Sequence, residues 1–205
     1  MNSGLTLLQP YPFERLAKLL RNSKPALDPV IPLTMGEPQH PPPDGALELL
    51  KEHAELVAKY PATQGRAQLR AAIARWLEKR FVLPSIDPEH HVLPLNGTRE
   101  GLFALAQAVV STRQAGGVIC PNPFYQIYEG AALLAGSQPL LLNCDEHNGF
   151  LPDIDLVTPA QWQNCQLVYL CTPGNPGGAV MSSRQLQRLI VLAHEHNFLI
   201  ASDEC

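Results

Sequence analysis

Apolar positions change their spacing near the middle of the chain. From His91 onward they fall in short runs of strand length, Val92 to Leu95, Gly117 to Cys120, Pro139 to Asn143, Leu167 to Cys171 and Phe198 to Cys205, separated by stretches of helical spacing. The last of these stretches is the best marked. Ser182 with Gln185 three residues on makes a capping box, and Leu186, Leu189, Ile190 and Ala193 recur at i, i+3, i+4 and i+7, which predicts a helix over 182–196. Helices are predicted likewise up to Val110 and up to Ala135. Strands alternating with helices imply an α/β fold, a mostly parallel sheet covered by helices on both faces. In such a sheet, Asn175 and the Asp203-Glu204 pair, which follow two of the strands, face one crevice.

The first ninety residues carry a different pattern. Proline is dense at 10, 12, 25, 29, 32, 38 and 41–43, which favours an extended arm over residues 1–45. Phe13, Leu16, Ala17 and Leu20 interrupt it with one short helix, and Gly36-Glu37-Pro38 reads as a turn after the apolar Val30 to Leu33. Asp44 is a predicted N-cap for a helix carrying Leu47, Leu50, Ala54 and Val57 inward and ending near Tyr60-Pro61. A further helix presents Leu69, Ala72, Ile73, Trp76 and Leu77 to a core, with Arg66, Arg70, Glu78 and Lys79 mostly off that stripe. The expected division is a proline-rich arm and the start of a small domain at 1–45, and the N-terminal part of an incomplete large domain at 46–205.

Composition narrows the function classes. A net charge of −4 gives no reason to expect nucleic acid, and no window has the uninterrupted apolar length of a membrane span or a leader, so a cytoplasmic setting is expected. The five cysteines, Cys120, Cys144, Cys165, Cys171 and Cys205, lie mostly in apolar runs and read as buried free thiols. None has zinc-knuckle spacing, and His194 and His196 lack the i, i+4 relation of paired ligands, so no metal site is expected.

Four places carry candidate chemistry. Asn96-Gly97-Thr98-Arg99 joins a predicted strand to a helix: exposed N–H groups, a hydroxyl and a guanidinium there suit an anion, and the same residues equally suit a plain turn with Thr98 as N-cap. Pro121 to Tyr128, PNPFYQIY, sets aromatic rings at the end of a strand, as packing or as a platform for a flat ligand. Asn175 sits in a turn of glycine and proline, able to aim an amide into a pocket or into solvent. Asp203 ends an apolar strand, where a carboxylate needs a partner. Together they describe a site for a flat, phosphorylated, partly cationic aromatic ring, a description that fits pyridoxal 5′-phosphate.

The order and wording of these motifs resemble the class I/II aminotransferases of the pyridoxal-phosphate fold type I, with its three-layer α-β-α architecture. The resemblance rests on GEP at 36–38, YPATQGRAQLR at 60–70, NGTREGLFAL at 96–105, PNPFYQIY at 121–128, TPGNPGG at 172–178 and SDE at 202–204. It implies that Gly97, Thr98 and Arg99 bind the cofactor phosphate, that Tyr125 stacks on the pyridine ring, that Asn175 bonds its phenolic oxygen and that Asp203 pairs with its nitrogen. It further implies a homodimer, with Tyr60 reaching the neighbouring subunit's phosphate, and Gly36 near the substrate carboxylate. Within the family, GEPQHPPP, NGTREGLFALAQAV and CPNPFYQIYEGAALLAG are similar to the bacterial succinyldiaminopimelate aminotransferases of lysine biosynthesis, which exchange an amino group between glutamate and N-succinyl-2-amino-6-oxopimelate. An aminotransferase for aspartate, alanine or aromatic substrates, a lyase on the same fold and a non-catalytic cofactor-binding module are the competing readings.

Two departures qualify what the resemblance implies. Where the family usually reads NPTG the chain has Asn175-Pro176-Gly177-Gly178. The lysine that in the family forms the Schiff base follows SDE by some tens of residues and is absent from these 205, and none of Lys18, Lys24, Lys51, Lys59 or Lys79 lies in a corresponding motif. The expectation is a truncated chain, inactive alone, in which Val92 to Leu95 has lost its neighbours in the sheet.

Overall fold

The computed structural model describes residues 2–26, 29–31, 34, 36–111 and 117–204, so Leu33 and Cys205 of the predicted runs lie outside the described residues. Four strands form one parallel sheet: β1 (Gly117–Asn122), β2 (Leu140–Asn143), β3 (Cys165–Cys171) and β4 (Leu199–Asp203), in the order β2-β1-β3-β4. The register aligns Ile119 with Leu140 and with Val168, and Cys171 with Asp203. Every strand therefore ends at the same side of the sheet. The chain divides into two compact units, one of residues 1–15 with 96–205 and one of residues 16–95.

Alternation along the strands builds two separate cores in the first unit. Val118, Cys120, Leu167, Tyr169 and Ala201 pack with Ala106 of α4 (Thr98–Val109) and with Tyr128, Ala131 and Ala132 of α5 (Gln126–Leu134). Their neighbours Ile119, Val168 and Leu170 point to the other face, against Trp162 of α6 (Pro159–Asn164) and Leu189 of α7 (Ser183–His196). The sheet is thus covered on both faces. Side-chain caps set the helix starts here: Ser182 and Gln185 form the predicted capping box, and Thr158 with Gln161 forms a second one ahead of α6, with Pro159 at its first position. Asn197, in the left-handed region at φ 56°, ends α7.

The remaining helices are α1 (Pro12–Leu20), α2 (Ala46–Glu52) and α3 (Ala67–Phe81). Several expectations need correction here. The helix predicted from Asp44 to Tyr60 is capped by Gly45 and breaks at His53 into a 3-10 turn, and Leu47, Leu50 and Val57 are exposed. In α3 the buried positions are Arg70 and Ala74, while Leu69 and Trp76 are more than 45% exposed and Trp76 forms a T-shaped pair with Phe81. Arg70 turns inward because acceptors surround it: it donates to the carbonyls of Gln64, Gly65 and Pro88 and to the Glu89 carboxylate at 2.6–3.1 Å. Residues 92–95 form no strand. Among the described residues no strand pairs with them, so their N–H and C=O groups join no ladder, and Leu93 and Leu95 are exposed.

Cys120, Cys165 and Cys171 are buried free thiols and Cys144 is half-buried. Burial pushes the Cys165 thiol up to about 12 and raises Cys144 as well. Among the described residues no helix is long and apolar enough to cross a membrane, and no cluster of three metal-ligating side chains occurs.

The second core depends on a stack in which Trp162, 5% exposed, lies parallel to Phe198 with centroids 5.2 Å apart and to His196 at 6.3 Å. Trp162→Ala is expected to destabilise the chain by about 3–5 kcal/mol, read from the shift of its urea unfolding midpoint at constant slope.

Candidate functional site

The carboxyl ends of the strands gather the candidate residues of the first unit. Gly97 caps α4 with φ 155°, a conformation that L side chains rarely adopt, and nothing lies within 4 Å of where its Cβ would be. Thr98 is consequently the first residue of the helix and not its cap, a correction to the turn reading. The first-turn N–H groups of α4, the Thr98 hydroxyl and the Arg99 guanidinium belong to one helix start.

Arg99 connects that start to the aromatic segment. Its Nε donates to the Tyr125 hydroxyl at 2.6 Å, and its guanidinium lies 5.6 Å from the centroid of the same ring. Hydrogen bonds to Tyr125, and after it to Tyr11, hold Arg99 above its ordinary value, so it is a permanent cation. Tyr125 is the N-cap of α5, which places Tyr128 one turn further along the same helix. The two rings meet edge to face at 5.9 Å, and Tyr128 stacks on Tyr169 of β3 at 4.6 Å with an 11° interplanar angle.

Tyr128 is the residue that sequence reasoning left without a role. Its hydroxyl donates to Asp203 Oδ2 at 2.6 Å in the interior, where Tyr128 is fully buried and Asp203 is 7% exposed. Burial first, and then the bond to Asp203, push the Tyr128 hydroxyl far above its usual range, which keeps it a donor. The signal was present: Asp203 was known to need a partner, and Tyr128 follows Tyr125 by one helical turn in a motif already singled out. What the linear pattern lacked was the packing that brings α5 within reach of the end of β4. A continuous path therefore runs Arg99, Tyr125, Tyr128, Asp203.

Asn175 lies on a neighbouring feature. With Gly174, Pro176, Gly177, Cys144, Cys171 and the segment Phe150 to Pro152 it lines an apolar cavity of about 260 Å³ that also touches Pro121 and Pro123. The turn that holds it is closed by Gly178 N–H to the Gly174 carbonyl and Gly174 N–H to that of Ala179. Gly36 and Tyr60 are in the second unit. Nothing lies within 4 Å of where a Cβ on Gly36 would be, and Tyr60 is fully exposed.

A parallel sheet covered on both faces, with a helix start at Thr98, an aromatic path and a buried carboxylate at the end of β4, defines an α/β protein. The chain belongs to the aminotransferase class I and II family, whose sequence profile matches residues 28–205. Among its relatives, LL-diaminopimelate aminotransferase of Desulforudis audaxviator is 32% identical over 198 residues, 96% of this chain and 50% of that protein. The Aquifex aeolicus LL-diaminopimelate aminotransferase is 32% identical over 201 residues. An aminotransferase structure from Neisseria meningitidis Z2491 superposes over 100% of this chain and 52% of its own, with a TM-score of 0.91 and 38% identity. Aminotransferase AspB from Helicobacter pylori 26695 gives a TM-score of 0.88 and 34% identity over 97% of this chain and 51% of its own. The chain spans about half the length of the curated relatives it matches.

Removing the Tyr128 hydroxyl isolates its bond to the buried carboxylate. Tyr128→Phe is expected to cost about 1.5–3 kcal/mol in urea unfolding, the range for a hydrogen bond to a charged group. Burial also raises Tyr169, so neither ring releases its proton in the folded chain at the ordinary tyrosine pKa of about 10. Their neutral forms stabilise the fold fully below that value, and this contribution falls as pH rises above it. An alkaline titration followed by tyrosinate absorbance should show both residues ionising only on unfolding.

Proposed function

We propose that this chain forms the cofactor-holding part of a pyridoxal-phosphate-dependent transaminase of diaminopimelate and lysine biosynthesis. The observation that carries the reading is the buried 2.6 Å bond from Tyr128 to Asp203, which fixes a carboxylate at the strand ends of a family fold. A buried carboxylate held by a neutral donor suits a protonated ring nitrogen, and the helix-start N–H groups with Arg99 suit a phosphate. When bound, pyridoxal phosphate supplies an electron sink for the substrate's Cα–H bond.

Each residue then has a task of its own. Gly97, Thr98 and Arg99 hold the phosphate, with Arg99 aimed by the Tyr125 hydroxyl. Tyr125 offers its ring as a face for the pyridine, Asn175 donates to the phenolic oxygen, and Asp203 keeps a proton on the ring nitrogen. Tyr128 orients Asp203. Gly36 and Tyr60 retain the roles the resemblance implies, near the substrate carboxylate and toward the neighbouring subunit of a homodimer. The substrates are an amino acid, with glutamate as the common donor, and an oxo acid. Motif wording favours N-succinyl-2-amino-6-oxopimelate as that oxo acid. The names of the curated relatives favour the unacylated diaminopimelate instead.

The visible absorption spectrum of the chain with added pyridoxal phosphate, followed by borohydride reduction and intact-mass analysis, tests the reading. A saturable complex with no reducible adduct on Lys18, Lys24, Lys51, Lys59 or Lys79 is expected. In a chain extended past Cys205 to the length of its relatives, a site-specific adduct should form, and amino transfer to 2-oxoglutarate should favour the N-succinylated diaminopimelate. Faster turnover of free LL-diaminopimelate would reassign the substrate. Absence of a specific complex in both chains would overturn the proposal.

A further inference from the structure

The first residues of the chain run back along α5. Asn2 caps a 3-10 helix over Ser3–Leu7: its side-chain oxygen accepts from the Gly4 N–H and its side-chain nitrogen donates to the Leu134 carbonyl, each at 2.8 Å. Gly4 is buried against the backbone of Leu133, and the Leu8 side chain lies over Gly130, its Cδ2 3.8 Å from where a Cβ on that glycine would be. Residues 2, 4 and 8 thus meet 134, 133 and 130 in turn, so the segment descends α5 from its last turn toward its N-terminus.

At that N-terminus stand Tyr125, the cap of α5, and the guanidinium bonded to it. From Gly130 to Tyr125 is about 7.5 Å along a helix axis. From Leu8 to Tyr11 is up to about 10 Å of extended chain, so the segment is long enough to cover the distance. Pro10 and Pro12 bias Gln9 and Tyr11 toward extended backbone, and residues 8–11 lie in no helix or strand. The Tyr11 hydroxyl is accordingly the second group bonded to Arg99, after that of Tyr125, and its ring packs beside Phe13 with centroids 5.4 Å apart. A guanidinium has only donors, so each hydroxyl accepts from it and keeps its own proton to give. Arg99 is exposed, and an exposed arginine gripped by two acceptors loses fewer conformations on meeting an anion than one free in solvent.

We infer that residues 2–11 form a strap along α5 that delivers Tyr11 as a positioning residue for Arg99. The inference rests on the reading of Arg99 as a ligand to the phosphate of pyridoxal phosphate. Calorimetric titration of the 205-residue chain with pyridoxine 5′-phosphate, and with pyridoxine as the ligand lacking the phosphate, tests it. Tyr11→Phe keeps the ring and is expected to weaken the phosphate ester roughly three- to tenfold, the equivalent of one hydrogen bond, while leaving pyridoxine unchanged. In an Arg99→Gln background the same substitution should add nothing. Gly4→Val, whose side chain collides with the Leu133 carbonyl, unseats the strap and should reproduce the selective loss. Wild-type ester affinity in Tyr11→Phe or in Gly4→Val, an equal loss for both ligands, or full additivity with Arg99→Gln would overturn the inference while leaving the Arg99 reading intact. Equal ester affinity of wild type and Arg99→Gln, or no binding by either, would overturn that reading and the inference with it.

Discussion

A carboxylate at the end of an apolar strand has to be satisfied inside the protein, and the bond from Tyr128 to Asp203 meets that requirement. It ties the sheet to the helix layer: β4 supplies the acceptor, α5 the donor, and Tyr169 of β3 stacks beneath the donor ring. Tyr169 is itself fastened to the other helix of that layer, since its hydroxyl donates to the Leu102 carbonyl at 2.6 Å. Moving any one of these elements would break a side-chain hydrogen bond or ring stack that joins the layers. The start of α4 is joined to this assembly through the bond from Arg99 to Tyr125.

The sequence made the second half of the fold legible because there the local signals agree. Continuous apolar runs at β1 and β3, buried along most of their length, the capping box at Ser182 and the glycine-proline turn after β3 all pointed to strand, helix and turn where the structure has them. The first half was less legible for a physical reason. Apolar stripes predict a buried face only if something is there to cover it, and among the described residues Leu47, Leu50, Val57 and Trp76 remain exposed. Arg70 shows the converse: its charge argued for the surface, and three carbonyls with one carboxylate brought it inside.

The candidate site divides in the same way. Gly97, Thr98, Arg99, Tyr125, Asn175 and Asp203 were found as residue types suited to one ligand, each at the end of a strand or the start of a helix. Their connection was not legible, because it runs through a side-chain bond spanning 75 positions of sequence. The glycine at 177 was visible as a departure from the family pattern.

The first unit is assembled from the two ends of the chain. Asn2 donates to the Leu134 carbonyl across 132 residues, and Gly4 is buried against the backbone of Leu133, where any side chain would collide. Closing a loop of that length costs about 4 kcal/mol in chain entropy. During synthesis this sets an order: residues 2–4 cannot take their place until α5, more than a hundred residues further along, has been made.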